Sequence, residues 1–91
     1  MQFDWDPGKA KANLKNHKVS FEDATTVFND PLYVIFADPD HSTEEYRLII
    51  MGQSNKSRLL VVSYTERPPA TRLISARKAT RAERKNYEEE I

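Results

Sequence analysis

Arginines concentrate around one predicted β-hairpin in the second half of the chain. Arg67, Arg72 and Arg77 lie beside two runs rich in β-branched and aromatic residues, 59–65 and 71–75, and two consecutive prolines separate the runs. This pattern is typical of a strand, a turn and an antiparallel return strand. A sheet does not need arginines to hold together, whereas a guanidinium fork matches the geometry of a phosphate. An anionic ligand is therefore the favoured explanation.

The distribution of charge supports the same interpretation. The chain is neutral overall, but residues 1–57 carry a net charge of −3 and residues 58–86 a net charge of +6, with three glutamates at 88–90 making up the difference. A local basic surface can bind a phosphate backbone even when the whole protein is neutral. The alternative is a solvated surface with scattered salt bridges.

Composition limits the class of protein. A chain of 91 residues with 38% hydrophobic and 31% charged residues predicts one folded domain, 1–91. Without cysteine it can form neither a disulfide nor a thiolate metal site. No apolar run approaches the length of a membrane span, and no signal-peptide pattern follows Met1. A cytoplasmic location is expected.

Two short helices are predicted before any strand. Asp6 followed by proline is a typical helix start, and Ala10, Leu14 and His17 then fall on one narrow face of a helix ending near residue 17. Ser20 caps a second helix, which ends before the Asn-Asp-Pro sequence at 29–31.

The rest of the chain predicts a sheet and a closing helix. Apolar runs at 32–37 and 45–53 give two strands, and the arginine-rich hairpin gives two more. Thr80 and Glu83 form a capping box that begins the last helix. The expected fold is α+β in the order ααββββα, a small antiparallel four-stranded sheet with helices covering one face.

Motifs along almost the whole chain resemble those of the BrnT toxins. The residues that carry the resemblance are Phe3-x-Trp5-Asp6, Lys9-Ala10-x-x-Asn13, His17-x-x-Ser20-Phe21-Glu22-x-Ala24, Val27-Phe28-x-Asp30-Pro31, Asp40-His41-Ser42, Arg47, Gly52-x-Ser54, Arg58-Leu59-Leu60-Val61-Val62, Tyr64-Thr65-Glu66-Arg67, Ile74-Ser75-Ala76-Arg77-x-Ala79-Thr80, Glu83-Arg84 and Tyr87. The resemblance implies the toxin half of a bacterial type II toxin–antitoxin pair, with a RelE-like fold and endoribonuclease activity.

Two positions depart from the family pattern. The family usually has glycine where this chain has Lys18, after the first helix, and where it has Ser57, before the third strand. Both are turn positions, and a glycine after a helix is a common C-cap. The departures therefore concern the geometry of loops more than the chemistry of a site.

The implied reaction, metal-free RNA cleavage, needs a base for the ribose 2′-hydroxyl, an acid for the leaving 5′-oxygen and cations for the phosphorane. His17 is the best acid–base candidate by its intrinsic pKa, with Glu45, Glu66 and Tyr64 as substitutes. The predicted catalytic residues are His17, Arg47, Glu66, Arg67 and Arg77. The predicted RNA-binding residues are Trp5, Lys9, Arg58, Tyr64, Arg72, Arg81 and Arg84. No cofactor and no metal ion is expected.

Several of these residues have a purely structural alternative. His17 could be a packed or capping histidine, and Trp5 is more often a core residue than a stacking platform. The histidine and two aspartates at 38–41 have poor spacing for a metal site, so a solvated turn is the favoured interpretation. For Arg67 and Arg77 the structural alternative is weakest, because little acid lies near them in the sequence.

The resemblance also implies a partner. A BrnA-like antitoxin would cover the basic face with an acidic or amphipathic segment, and its ribbon-type DNA-binding half could dimerise to give a 2:2 assembly. Promoter DNA would then be read only by the partner, and no membrane is involved. A different class of function stays open, in which the same basic sheet face belongs to a non-catalytic module that binds RNA or a partner protein.

Overall fold

The computed structural model describes residues 1–39 and 46–90. The secondary-structure elements are β1 (Gln2–Asp4), α1 (Pro7–His17), α2 (Phe21–Thr25), a 3₁₀ turn (Thr26–Asn29), β2 (Val34–Ala37), β3 (Leu48–Gln53), β4 (Leu59–Arg67), β5 (Ala70–Lys78) and α3 (Arg81–Glu90). Among the described residues, no helix is long and apolar enough to cross a bilayer.

The sheet has five strands in the order β1-β5-β4-β3-β2. The class, α+β, is as expected, and the β4–β5 hairpin turns at the two prolines, but the predicted four-stranded antiparallel sheet is wrong. β1 is an additional strand that pairs in parallel with β5, opposing Phe3 to Thr71. Three residues are too short to give a periodic signal, and only pairing with a distant strand makes them a strand.

Helices cover both faces of the sheet, rather than one as predicted. On the first face, Phe21 and Val27 pack against Leu60 and Val62 of β4, together with the inner side of α1. On the second face, the alternate residues of β3 and β4 meet Tyr87 of α3; they are Met51, Leu59 and Val61. The two clusters follow directly from the alternation of side chains along β4.

The start of α1 confirms the predicted cap, but its packing differs from the prediction. The Asp6 carboxylate accepts a hydrogen bond from the Lys9 N–H (3.1 Å). The predicted apolar face is only partly correct: Ala10 packs against the core, but Leu14 is 52% exposed and His17 is exposed as well. The buried residue of the helix is polar Asn13. A hydrophobic pattern cannot identify a contact made by a buried amide.

Asn13 makes three hydrogen bonds, two of which join α1 to the sheet. Its Nδ2 donates to the carbonyl oxygens of Val19 (2.9 Å) and Ala76 (2.8 Å). Its Oδ1 accepts from the Ala76 N–H (3.0 Å), so the side chain satisfies both backbone groups of one residue in β5. Buried backbone groups must find partners, and here a helix side chain supplies them.

A second polar network ties α3 to the first half of the chain. The buried Asp30 carboxylate accepts hydrogen bonds from the Tyr87 hydroxyl (2.6 Å) and from the N–H groups of Leu32 (2.9 Å) and Gln53 (2.7 Å). Burial raises the Asp30 pKa, but these donors outweigh it and the net pKa is lowered. Burial and the hydrogen bond to Asp30 raise the pKa of Tyr87 to about 12. The tyrosine is therefore a neutral donor to a charged carboxylate.

The two turn positions that depart from the glycine pattern both have left-handed backbone conformations. Lys18 ends α1 with φ 60° and its N–H donates to the Leu14 carbonyl oxygen. Ser57 also has φ 60° and precedes β4. A residue with a Cβ atom is disfavoured by roughly 1–2 kcal/mol in this region. Both turns therefore form at the expense of some stability.

Glycine at either turn is expected to stabilise the fold. Lys18→Gly and Ser57→Gly should each raise the free energy of unfolding by about 0.5–1 kcal/mol, because relief of the left-handed strain exceeds the added flexibility of the unfolded chain. Chemical denaturation measures this directly. Lys11→Gly, at an exposed position inside α1, is the control and should destabilise by about 1 kcal/mol. Equal losses in all three variants would contradict the interpretation.

Candidate functional site

The side of the sheet that carries α3 also bears a group of polar and basic strand residues. Ser63 opposes Ser75, Val61 opposes Arg77 and Thr65 opposes Arg72 across β4 and β5. Paired residues share a face, so Arg72 and Arg77 lie on one side with the two serines. By the same alternation Arg47, before β3, and Arg67, at the end of β4, lie on this side. We refer to Arg47, Arg67, Arg72, Arg77, Ser63 and Ser75 as the arginine face.

Arg77 is held in a fixed position by Glu83 of α3. Its two terminal nitrogens donate to the two carboxylate oxygens of Glu83, at 2.7 and 2.8 Å. The expectation that Arg77 has too little acid nearby to be paired is therefore wrong. The sequence identified Glu83 as a capping residue, but the helix start also brings its carboxylate to β5. The hydrogen bonds to Glu83 raise the pKa of Arg77, which stays cationic.

Glu83 also completes the predicted capping box, which is confirmed. Its Oε1 accepts from the Thr80 N–H (2.8 Å), and its own N–H donates to the Thr80 hydroxyl (3.1 Å). The hydrogen bonds from Arg77 have the largest effect on the pKa of Glu83 and lower it. Burial acts in the opposite direction, the bond from Thr80 adds to the lowering, and the resulting pKa is about 2. One carboxylate thus fixes both the beginning of α3 and the orientation of Arg77.

The charge of Glu83 should contribute to stability in a pH-dependent way. Its folded-state pKa lies below the ordinary value of 4.5, so the contribution is complete above about pH 4.5 and is lost as the pH falls to about 2. Glu83→Gln keeps a capping side chain and should lower the free energy of unfolding at pH 7 by about 1–2 kcal/mol, a value discounted for solvent screening.

Urea unfolding of the wild type and Glu83→Gln between pH 7 and pH 2 measures this contribution. The difference between the two proteins should shrink steadily below pH 4.5. Glu88→Gln, at an exposed position of the same helix, should stay within about 0.5 kcal/mol of the wild type throughout. A loss of stability in Glu83→Gln that does not change with pH would contradict an electrostatic origin.

The remaining arginines of this face differ in their surroundings. Arg72 is half-buried and its guanidinium lies 3.4 Å from the Asp4 carboxylate of β1. Arg47 is half-buried, and its carbonyl oxygen accepts a hydrogen bond from the Asp38 N–H (3.1 Å), which extends the β2–β3 ladder by one residue. Arg67 is exposed at the end of β4. β1, which the sequence did not predict, therefore contributes to the site as well, because its Asp4 contacts Arg72.

Asp38 is an acidic residue of this region that the sequence did not single out for acid–base chemistry. The hydroxyl of Ser63 donates to its Oδ2 (3.3 Å), which brings the carboxylate to the arginine face. Asp38 and Ser63 are 25 residues apart, so only the sheet reveals their contact. One signal in the sequence could have identified Asp38: it is the polar residue directly after the four residues of β2.

Three predicted residues lie on the other side of the sheet, with α1. His17 and Lys9 are exposed on that helix, which packs on β5 through Asn13. Trp5 is half-buried against the core, with its ring edge-on to Phe21 at a centroid distance of 5.7 Å. The structure does not bring His17 together with the arginine face, and Trp5 has the core position given as its alternative.

Glu66 and Tyr64 also lie on the face opposite the arginine face. Tyr64 is buried in the first core cluster and its ring packs edge-on to Phe28. Burial, followed by the charge of Glu66, raises the pKa of Tyr64. Glu66 accepts a hydrogen bond from the Thr71 hydroxyl and neighbours Arg67 in sequence, but successive strand residues point to opposite faces.

The other predicted RNA-binding arginines lie outside the set of strand residues that defines the arginine face. Arg58 donates to the Asp23 carboxylate (2.8 Å) and to the Lys18 carbonyl oxygen (3.0 Å), so it holds the turn between α1 and α2. Arg81 and Arg84 are exposed on α3. Their role in RNA binding stays a prediction.

Some predicted residues lie outside the described part of the chain. Glu45, the substitute base, belongs to this group, as do Asp40 and His41 of the alternative metal site. Within residues 1–39 and 46–90, no group of three or more histidine or acidic side chains could hold a metal ion.

Comparison with known proteins identifies the family. The family model described as "Ribonuclease toxin, BrnT, of type II toxin-antitoxin system" matches residues 5–83. The chain belongs to the BrnT family. The resemblance found in the sequence is thereby confirmed, and membership implies an antitoxin partner.

A solved structure agrees with this assignment. The structure is similar to that of the Brucella abortus ribonuclease toxin BrnT, with a TM-score of 0.65 over 89% of this chain and 99% of that chain, at 23% sequence identity. At this level of identity the likeness shows a shared fold. No curated protein matches the chain by sequence. The five-stranded mixed sheet and the three helices described above therefore form a fold similar to that of the Brucella protein.

Proposed function

We propose that this chain is a metal-independent endoribonuclease of the RelE-like type, which cleaves RNA on its arginine face and so arrests growth in the cytoplasm. The observation that carries the proposal is the placement of Arg47, Arg72 and Arg77 on one side of the sheet, where the Asp38 carboxylate also lies. Family membership supplies the general activity, ribonuclease. The residues that perform it are our assignment.

The arginines would stabilise the crowded phosphorane. Charges that are fixed before the reaction lower the barrier without reorganisation, and guanidinium groups remain cationic at any physiological pH. Arg77 suits this role best, because the two-point contact with Glu83 restricts its motion and leaves other N–H groups for a phosphate oxygen. Arg47, Arg67 and Arg72 would contact the same phosphate or its neighbours.

Asp38 is our candidate for the base that takes the ribose 2′-hydroxyl proton. Its carboxylate lies on the arginine face, with the Ser63 hydroxyl as a hydrogen-bond donor. Base catalysis by a positioned side chain contributes about 10²–10⁴-fold. Under this proposal His17 and Glu66, on the other side of the sheet, do not act as the base. His17 and Lys9, which are exposed on α1, would form a second contact with a long RNA.

We propose that a BrnA-like antitoxin neutralises the toxin by blocking access to the arginine face. An acidic or amphipathic segment would pair with the arginines there, and a 2:2 assembly would follow from dimerisation of the partner. Promoter DNA would be contacted only by that partner. The second candidate function, a non-catalytic RNA-binding module, would use the same arginines. RNA binding that weakens with salt but yields no cleavage products would distinguish this module from an endoribonuclease.

Expression of the chain in bacteria from a tightly repressed promoter tests the proposed function. Wild-type expression should stop growth and deplete total RNA, and Asp38→Asn should relieve both effects at an equal level of soluble protein. Co-expression of the neighbouring reading frame should restore growth. Normal growth with intact RNA and folded wild-type protein would overturn the endoribonuclease proposal in favour of the binding module.

A further inference from the structure

The free edge of β2 is an unusual surface for a small protein. Among the described residues β2 hydrogen-bonds only to β3, so its other edge has backbone groups directed outward. The segment 32–37 has no charged residue, and four large side chains in it are 45–48% exposed: Leu32, Tyr33, Ile35 and Phe36. Exposed edge strands usually carry charges or prolines that prevent pairing with other chains. A cluster of exposed apolar residues marks an interaction surface.

A cleft lies beside this edge, between β2 and α3. Its volume is about 500 Å³, and one wall is apolar, formed by Val34, Phe36 and Met51. The opposite wall is formed by α3, whose contribution is acidic or polar: Glu83, Asn86 and Glu89. Within the described part of the chain, the lining contains no basic residue. Arg77 already neutralises Glu83, so Glu89 is the carboxylate that remains to attract a cation.

We infer that the β2 edge and this cleft bind an extended segment of a partner protein, in which apolar side chains alternate with lysine or arginine. The segment would add a sixth strand to the sheet and satisfy the outward backbone groups of β2. Alternation would direct its basic side chains into the cleft, with their methylene stems over Phe36 and their charges at Glu89. Its other side chains would cover Ile35 on the opposite face.

Charge complementarity decides between possible occupants. A nucleic acid would bring phosphates to a cleft whose described lining has no basic residue and includes the Glu89 carboxylate, which is unfavourable. A second copy of this chain would pair two segments that contain no basic residue, so nothing in β2 could reach Glu89. A strand in which apolar and basic side chains alternate can contact both the apolar wall and the Glu89 carboxylate. This inference does not depend on ribonuclease activity, and the surface differs from the arginine face.

A synthetic peptide of about ten residues that alternates isoleucine or valine with lysine tests the inference. We expect saturable binding to the ¹⁵N-labelled protein, with amide shifts and added hydrogen-exchange protection centred on residues 34–37. Phe36→Ala should weaken binding at least about tenfold, as loss of a central apolar contact does. Leu14→Ala, at a similarly exposed position on α1, should have no effect.

A matched pair of variants on α3 tests the proposed attraction between Glu89 and the basic side chains of the peptide. Glu89→Lys should weaken binding about 3- to 10-fold, because a favourable ion pair becomes a repulsion. Glu88→Lys changes the net charge equally but does not line the cleft, and should leave binding unchanged. Equal losses in both variants, or equal binding of a peptide with glutamate in place of lysine, would overturn the inference. So would concentration-dependent dimers of the protein alone that Ile35→Lys abolishes, since the occupant would then be a second copy.

Discussion

Replacement of Arg77 by alanine is expected to lower the rate of RNA cleavage by about 10²–10³-fold, the usual effect of losing one preorganised group that stabilises transition-state charge. The fold should remain intact. Arg77 is partly exposed, and Glu83 keeps its capping bonds with Thr80 when the guanidinium is gone. The measurement is single-turnover cleavage of an end-labelled RNA, with thermal unfolding of each variant in parallel.

Two further substitutions make this result specific. Arg77→Lys keeps the charge but loses the planar fork, so cleavage should be intermediate between alanine and wild type. Arg84→Ala removes an exposed arginine of α3 that is not one of the residues of the arginine face, and should leave cleavage within about twofold if its contact with phosphate is only a weak surface contact. Full activity of Arg77→Ala would exclude Arg77 from the catalytic site, and an unfolded variant would assign the residue to structure.

Asn13→Ala is expected to cause the largest loss of stability, about 3–5 kcal/mol, because it leaves buried backbone donors and acceptors without partners. The affected groups are the N–H and carbonyl of Ala76 and the carbonyl of Val19. A loss of this size is a large share of the roughly 5–15 kcal/mol that stabilises a typical domain. Urea denaturation followed by circular dichroism measures it.

Asn16→Ala is the control for this prediction. Asn16 is an exposed residue on the same helix, and its replacement should change the free energy of unfolding by less than about 0.7 kcal/mol, the difference in helix propensity. If the two alanine variants were equally stable, the Asn13 hydrogen bonds would not anchor α1 to the sheet.

Features that depend on local sequence could be predicted from it. The caps at Asp6 and at Thr80–Glu83 involve residues three positions apart, and both form as expected. The positions of Lys18 and Ser57 stood out against the family pattern, and both have the left-handed conformation that glycine favours. The hairpin at the two prolines likewise follows from turn chemistry and β-branched runs.

Features that depend on distant contacts could not be predicted. β1 is a strand only because Phe3 lies beside Thr71, and Asn13 is buried only because Ala76 needs its amide. The alternation rule places residues on faces, but it cannot say which helix covers each face. Because the prediction placed all helices on one face, it did not show that His17 and Arg77 lie on opposite sides of the sheet.

The candidate site was predicted in part. Its arginines were identified by residue type and clustering, whereas the contact between Asp38 and Ser63 requires the register of β2, β3 and β4. The salt bridge of Arg77 with Glu83 spans only six residues, yet it depends on how α3 leaves the sheet. Charge counting along a sequence does not show which acid a given arginine will meet.

The most direct test of the account is cleavage of a defined RNA by the purified protein in the presence of EDTA, with analysis of the product ends. An arginine-face mechanism in which the 2′-hydroxyl attacks the phosphate predicts cleavage without added metal, 2′,3′-cyclic phosphate on one fragment and a 5′-hydroxyl on the other. Cleavage that requires a divalent ion and leaves 3′-hydroxyl and 5′-phosphate ends would contradict it.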